Sequence, residues 1–187
     1  MNEDFLYTDF LIKLIEMTAS KKGILEKIEE KRRKGQTEYN HGKEEFAMMR
    51  NLDALEMAKK HELNEKAAEI LIDISIIHAT WGNGSKVMEA CKQGLKYAKE
   101  PNTKAKLMMN LSNQQALDYK LEKARKTIQS ASKLGTSQAI KGKIKRNLKI
   151  INNAIDLRDG RIHKKSPKKQ QKLLVVIGLG NKKRRKR

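Results

Sequence analysis

Residues 64–98 read NEKAAEILIDISIIHATWGNGSKVMEACKQGLKYA, and this stretch decides the fold class. Its first half carries apolar side chains at three- and four-residue intervals, which is the spacing of one face of an α-helix. Gly82 or Gly84 can take the left-handed conformation that ends a helix, and Ser85 can cap the helix that follows. The stretch therefore predicts two amphipathic helices joined by a short turn, a helical hairpin.

The same pattern recurs when the sequence is shifted against itself by 37 residues. Apolar or small residues then coincide throughout both helices. The superposed sets are Ala68, Ala105 and Gly142; Ile70, Leu107 and Ile144; Ile74, Leu111 and Leu148; Val87 and Ala124; Cys91 and Ile128; and Gly94 and Ala131. A single hairpin cannot bury its apolar face, so we expect successive hairpins to stack into a superhelix with a concave surface.

The periodicity predicts an all-α chain in three parts. Residues 1–42 are expected to form an N-terminal helical hairpin and a loop, because residues 35–42 (GQTEYNHG) have no apolar periodicity. Residues 43–157 form the repeats, and residues 158–187 form a basic tail that we expect to be mostly disordered. The predicted helices lie near 3–19, 22–34, 43–61, 64–82, 85–99, 103–118, 121–134 and 137–157.

Composition excludes several other classes of protein. Two prolines, eleven glycines and eight aromatic residues in 187 argue against an all-β sandwich. One cysteine and four dispersed histidines form neither an internal disulfide nor a four-ligand zinc site. The N-terminus lacks the pattern of a secretory signal, and the apolar run 173–179 is too short to span a membrane. We expect a cytoplasmic protein, with the nucleus as an alternative in a eukaryote.

The net charge of +20 is unevenly distributed. Residues 1–100 hold 17 Lys and Arg against 18 Asp and Glu, whereas residues 101–187 hold 25 against 4. A basic tail releases counterions when it meets RNA, DNA, a ribosomal surface or an acidic membrane, although a tail that only aids solubility is the alternative. The predicted polyanion-binding residues are Lys164, Lys165, Lys168, Lys169, Lys172, Lys182, Lys183, Arg184, Arg185, Lys186 and Arg187.

The repeat resembles the tetratricopeptide repeat (TPR) family over residues 44–156. The large and small residues that recur in that family are matched in two successive repeats, by Ile74, Ser75, Val87 and Gly94 and by Leu111, Ser112, Ala124 and Ala131. Serine stands at Ser75 and Ser112 where the family has glycine, and the period is 37 rather than 34 residues. The resemblance is therefore to a divergent variant with longer helices.

The resemblance implies that polar positions on the first helix of each hairpin line a groove for a protein or peptide partner. Shifting by 37 residues places six such residues on one side of their helices: Glu69, Asp73, Lys106, Asn110, Lys143 and Asn147. Lysine and asparagine there suit the backbone or the carboxylates of an extended peptide. The carboxylate clamp of some family members is incomplete, because Ile72 and Ile76 occupy two of its positions. A solvated helix face is the alternative interpretation.

No catalytic motif, metal site or cofactor site is evident in the sequence. His78 is expected to be a packed imidazole and Cys91 a core residue. We therefore expect a non-enzymatic adaptor or scaffold that binds a peptide or protein through its concave face and an anionic surface through its tail, with no small-molecule substrate. The alternatives are a nucleic-acid- or ribosome-associated basic protein and a sensory or scaffold fragment of a regulatory protein.

Overall fold

A computed structural model describes residues 3–161, with side chains from residue 20 onward. Within this range the chain is α-helical and contains no strand. The helices are α1 (Glu3–Asn40), α2 (Glu44–Lys60), α3 (Asn64–Thr80), α4 (Gly84–Tyr97), α5 (Pro101–Leu117), α6 (Leu121–Ser132) and α7 (Gln138–Arg158). The tail beyond residue 161 lies outside the described residues.

Each helix packs against the next, so the chain forms the predicted stack of antiparallel hairpins. The helices α3, α5 and α7 begin at residues 64, 101 and 138, which are 37 residues apart each time. The structure thus confirms both the all-α class and the period. The hairpins α1/α2, α3/α4 and α5/α6 are followed by α7, which is the first helix of a further unit.

The first helices of neighbouring hairpins form one continuous layer. Helix α1 contacts α3, α3 contacts α5 and α5 contacts α7, whereas no comparable contact joins α2 to α4 or α4 to α6 in the described part of the chain. A stack that is packed more closely on one side curves toward that side. The first helices therefore line the inner surface, and the second helices lie outside.

The turn after each of five helices uses one geometry. Its second residue has a positive φ: Gly42 (73°), Glu62 (54°), Gly82 (75°), Tyr119 (59°) and Gly160 (70°). The following N–H donates back across the helix end, as from Asn83 to the carbonyl of His78 at 2.9 Å. Gly82 is thus the helix-ending glycine of the two that the sequence offered. The predicted Ser85 cap is wrong, because α4 begins at Gly84 and Asn83 precedes it without a side-chain cap.

The N-terminal segment differs from its prediction, because one helix, α1, replaces two helices and a loop. The reason lies at Gly35, where an added Cβ would come within 3.3 Å of the Ala47 carbonyl oxygen and the Arg50 Cβ. The glycine permits a close approach of α1 to α2 rather than a break. Ile28 and Tyr39 of α1 pack in the same core as α2 and α3. The division of the chain at residues 42 and 157 remains a prediction.

Small residues allow one hairpin to pack closely against the next. A Cβ on Gly94 of α4 would lie 2.7 Å from Cδ2 of Leu107 on α5, and Leu107 is fully buried. Ala131, one period later, is also fully buried. The predicted core position of Cys91 is confirmed, and burial raises the pKa of its thiol to about 12.

A side chain near the start of α3 holds the start of α5, and one near the start of α5 holds the start of α7. Glu65 Oε2 accepts hydrogen bonds from the backbone N–H groups of Lys99 at 2.6 Å and Glu100 at 3.1 Å, directly before α5. One period later, Asn102 Oδ1 accepts from the N–H of Ser137 at 2.9 Å, directly before α7. The two residues therefore set the register between successive hairpins.

Replacing Gly94 with Val should lower the free energy of unfolding by about 1–3 kcal/mol, because the new methyl groups meet Leu107 in a packed interface. Gly142→Ala is the matched control. Nothing lies within 4 Å of a Cβ there, so helix propensity alone should raise stability by up to about 1 kcal/mol. Urea denaturation followed by circular dichroism measures both. A Gly94→Val variant as stable as the original chain would contradict this packing.

Glu65→Ala should cost about 1–2 kcal/mol of stability at neutral pH, as the loss of a helix cap does. Burial alone would raise the pKa of Glu65, but hydrogen bonds from Thr103, Lys99 and Glu100 outweigh it and hold the pKa below 4.5. The ionised carboxylate therefore stabilises the fold above pH 4.5, and this contribution disappears as the pH falls through the lowered pKa.

The control for this pH dependence is Asn102→Ala, which removes the corresponding cap one period later without removing a charge. The loss in free energy of unfolding caused by Asn102→Ala should stay constant with pH, whereas the loss caused by Glu65→Ala should become smaller in acid. Denaturation midpoints measured from neutral pH to below pH 4.5 test the difference. Parallel pH profiles for the two variants would contradict the role of the Glu65 carboxylate.

Candidate functional site

The inner surface contains a groove that crosses α1, α3 and α5, which we call the inner groove. Its main cavity measures about 250 Å³, and a smaller depression of about 90 Å³ adjoins it at Tyr39 and Ile76. The lining of the main cavity is Tyr39, Ser75, Ile76, Ala79, Thr80, Val87, Asn110, Asn113, Gln114 and Leu117. Apolar and amide side chains thus share one surface.

Much of the groove is built from equivalent positions in successive repeats. Tyr39, Ile76, Asn113 and Ile150 are each separated by 37 residues and lie on α1, α3, α5 and α7. The Tyr39 hydroxyl forms a hydrogen bond of 2.8 Å with Thr80 Oγ1, which fixes the aromatic ring against α3. Ile76 is 40% exposed although its helix is otherwise well packed, so it offers an apolar contact to a ligand.

Glu69 and Asp73, two of the predicted groove residues, are bound by an arginine of α1. Arg32 Nη1 donates to Glu69 Oε2 at 2.6 Å, and Arg32 Nη2 and Nε donate to Asp73 Oδ2 at 3.0 and 3.2 Å. Lys66 adds contacts of 2.7 Å to Glu29 and 3.0 Å to Glu69. This group, which we call the Arg32 network, ties the first two inner helices together.

Burial and charge oppose each other within the Arg32 network. Burial alone would lower the pKa of Arg32, but attraction to Asp73, Glu29 and Glu69 outweighs it and raises the pKa. The pKa of Asp73 is raised, because burial together with the neighbouring Glu69 charge outweighs the lowering by Arg32 and Lys106. The arginine thus compensates part of the negative charge of carboxylates that would otherwise be costly to enclose.

The predicted amides connect neighbouring inner helices. Asn110 Nδ2 donates to Ser75 Oγ at 2.9 Å, and Asn147 Nδ2 donates to Asn113 Oδ1 at 3.0 Å. The predicted lysines, Lys106 on α5 and Lys143 on α7, are exposed. The six residues therefore lie on the inner helices as the periodicity indicated, and their role in binding a partner remains a prediction.

Arg32 and Tyr39 were missed by the sequence analysis because both fall in the segment that was separated from the repeats. The available signal was the period itself. Subtracting 37 from Glu69 gives Arg32, and subtracting 37 from Ile76 gives Tyr39. The glycine-rich appearance of residues 35–42 concealed this continuation, because composition alone does not separate a turn from a close helix contact.

His78, a residue outside the groove that could take part in chemistry, has a structural role. His78 is partly buried with its ring 5.6 Å from that of Trp81 in an edge-on arrangement, and burial lowers its pKa. Among the described residues, no group of three or more His, Cys, Asp and Glu can hold a metal ion. No helix in the described part of the chain is long and apolar enough to cross a membrane. The predicted tail residues, from Lys164 to Arg187, lie outside the described residues.

Comparison with solved structures supports the same class of fold. The chain is similar to the C-terminal, TPR-containing domain of a Plasmodium falciparum protein described as FK506-binding, with a TM-score of 0.53 and 17% sequence identity. The match covers 74% of this chain and 93% of that domain. No family model matches the sequence, and no curated protein matches it significantly. The fold is a TPR-like helical repeat.

Arg32→Gln should lower the free energy of unfolding by about 2–3 kcal/mol, because it leaves the Glu69 and Asp73 carboxylates close together without their cation. Adding Asp73→Asn should recover part of the loss, since one of the two negative charges is then removed. A double-mutant cycle by urea denaturation measures the coupling. Additive effects of the two substitutions would contradict an energetic role for the network.

Proposed function

We propose that the protein is a non-enzymatic interaction scaffold whose inner groove binds an extended peptide segment of a partner protein. The observation that carries the proposal is the juxtaposition of an exposed apolar side chain, Ile76, with the amides of Asn110, Asn113 and Gln114 across adjacent helices. Repeat proteins of this class use such curved inner surfaces for binding. The comparison structure supports the class of fold only.

Asn110 and Asn113 each use only part of their hydrogen-bonding capacity within the protein. Asn110 donates through Nδ2, and Asn113 accepts through Oδ1. Within the described residues, Asn110 Oδ1 and Asn113 Nδ2 have no hydrogen-bond partner. One free acceptor and one free donor suit the N–H and C=O groups of a peptide backbone. Ile76 and Leu117 beside them suit an apolar side chain of the same peptide.

Charge favours one orientation and composition of the peptide. In the part of the groove between α1 and α3, both cations of the Arg32 network are already paired with carboxylates, so neither is free for a ligand. On α5 and α7, Lys106 and Lys143 are exposed cations at equivalent positions of the repeat. We therefore propose that an acidic part of the peptide lies toward α7, and that its apolar anchor lies at Ile76. The cationic tail would then tether the bound complex to an anionic surface.

To test this proposal, the full chain is used to select peptides from a displayed random library. The dissociation constant of an enriched peptide is then measured. Lys106→Glu with Lys143→Glu should weaken the binding of that peptide at least about tenfold, which corresponds to about 1.4 kcal/mol. The reason is that the two substitutions place negative charges beside the acidic part of the peptide. Ile76→Glu should do the same by removing the apolar contact. The readout is fluorescence anisotropy of the labelled peptide.

The control pair is Lys92→Glu with Lys96→Glu, which changes the net charge equally on the outer helix α4, where both lysines are exposed. It should leave the affinity unchanged. Failure to enrich any peptide would count against the proposal. So would an enriched peptide whose affinity is indifferent to the groove substitutions.

A further inference from the structure

The outward face of α7, the last described helix, carries exposed cations and no exposed carboxylate. Lys141, Lys145 and Lys149 are four residues apart, and Arg146 lies beside them. Successive lysines at this spacing are about 6 Å apart along the helix axis. We call these four residues the end face. Within the described part of the chain, none of them forms an ion pair.

The end face occupies positions that are buried or partly buried in the preceding inner helices. One and two periods earlier, the same register holds Lys104, Met108, Met109 and Ser112, and Ala67, Leu71, Ile72 and Ser75. In those helices the positions face packed neighbours. A further hairpin stacked on α7 in the same way would have to enclose Lys145, Arg146 and Lys149 at positions that hold apolar or small residues in α3 and α5, which is costly without partners. Like charge also disfavours a second copy of the chain at this face.

A polar end is expected of any helical stack, because the last unit must face water. That requirement is met equally well by glutamate, glutamine or mixed charge, so it does not explain four cations together. Residues 101–161 hold 14 Lys and Arg against 4 Asp and Glu. All four carboxylates pair elsewhere: Asp118 with Lys120, Glu122 with Arg125 and Arg158, and Asp156 and Asp159 with Arg161. The positive field of the end face is left without local compensation.

We infer that the end face binds the phosphate backbone of a nucleic acid. Ammonium groups in a row match a polymer that carries one charge at each of many regular positions, and release of its counterions drives the association. Gly142 lies between the cations of the end face, no aromatic residue occurs in α7, and Leu148, beside Lys145 and Lys149, packs against the core instead. The end face therefore lacks groups to stack on bases, which makes the binding independent of sequence, and it lacks the apolar face that anchors a helix in a membrane.

This inference is separate from the peptide groove and from the basic tail. The groove lies on the inner surface between α1 and α5, whereas the end face points away from the stack. The part of the tail beyond Arg161 is also charged, and its residues lie outside the described range. The end face is a fixed site on a folded helix, so it gives nucleic acid a defined position relative to the groove.

The test compares two triple variants of the full chain. Lys141→Gln with Lys145→Gln and Lys149→Gln removes the end face, while Lys27→Gln with Lys59→Gln and Lys60→Gln removes three exposed lysines near the other end. Both variants keep the tail and have the same net charge. Binding of fluorescein-labelled oligouridylate and of a labelled DNA duplex is followed by anisotropy between about 50 and about 200 mM salt.

We expect the end-face variant to bind both probes on the order of tenfold more weakly and with a log-log salt slope shallower by about 2–3. The control should change by less than about twofold. Replacing the same three lysines with arginine should retain binding, which separates loss of charge from damage to the helix. Circular dichroism confirms that each variant is folded.

Three results would overturn the inference. Equal losses in the two glutamine variants would assign binding to net charge alone, and no loss in either would assign it to the tail. Tighter binding to vesicles containing phosphatidylserine than to either oligonucleotide, abolished by the end-face substitutions, would make the ligand a lipid surface instead.

Discussion

The whole structure depends on the fit of one hairpin against the next. Gly94 of α4 admits the buried Leu107 of α5, and Glu65 and Asn102 hold the starts of the following inner helices. A two-helix unit of this size exposes too much apolar surface to be stable alone, so its burial comes from its neighbours. The fixed period of 37 residues places equivalent positions at successive junctions. Curvature follows, because in the described part of the chain the inner helices pack on one another more closely than the outer helices do.

The same junctions create the inner groove. Polar side chains that face the neighbouring inner helix must find partners there, and they do so through the Arg32 network at one junction and through asparagine amides at the next two. These bonds use only some of the available donors and acceptors. The remainder, with Ile76 and Leu117, gives the groove both apolar and polar contacts for a ligand.

Charge changes along the stack in a regular direction. Near α1 and α3, carboxylates and cations are interleaved and paired, whereas beyond α5 the cations outnumber the carboxylates and remain exposed on α7. A peptide in the groove and a polyanion at the end face would therefore meet different electrostatic environments. In this arrangement one scaffold would hold a partner protein close to nucleic acid, with the tail extending the positive field.

The sequence by itself determined the helical class, the period and the inner-helix positions of Glu69, Lys106 and Lys143, because side-chain spacing is fixed by helix geometry. It also placed Cys91 in the core. Tertiary structure decided the rest. Gly35 by itself predicts a helix break, yet it lies inside α1. Its close contact with α2 offsets the low helix propensity of glycine. Only the packing of α1 on α3 pairs Arg32 with Asp73, because residues far apart in sequence meet through the stack and local spacing does not encode their contact.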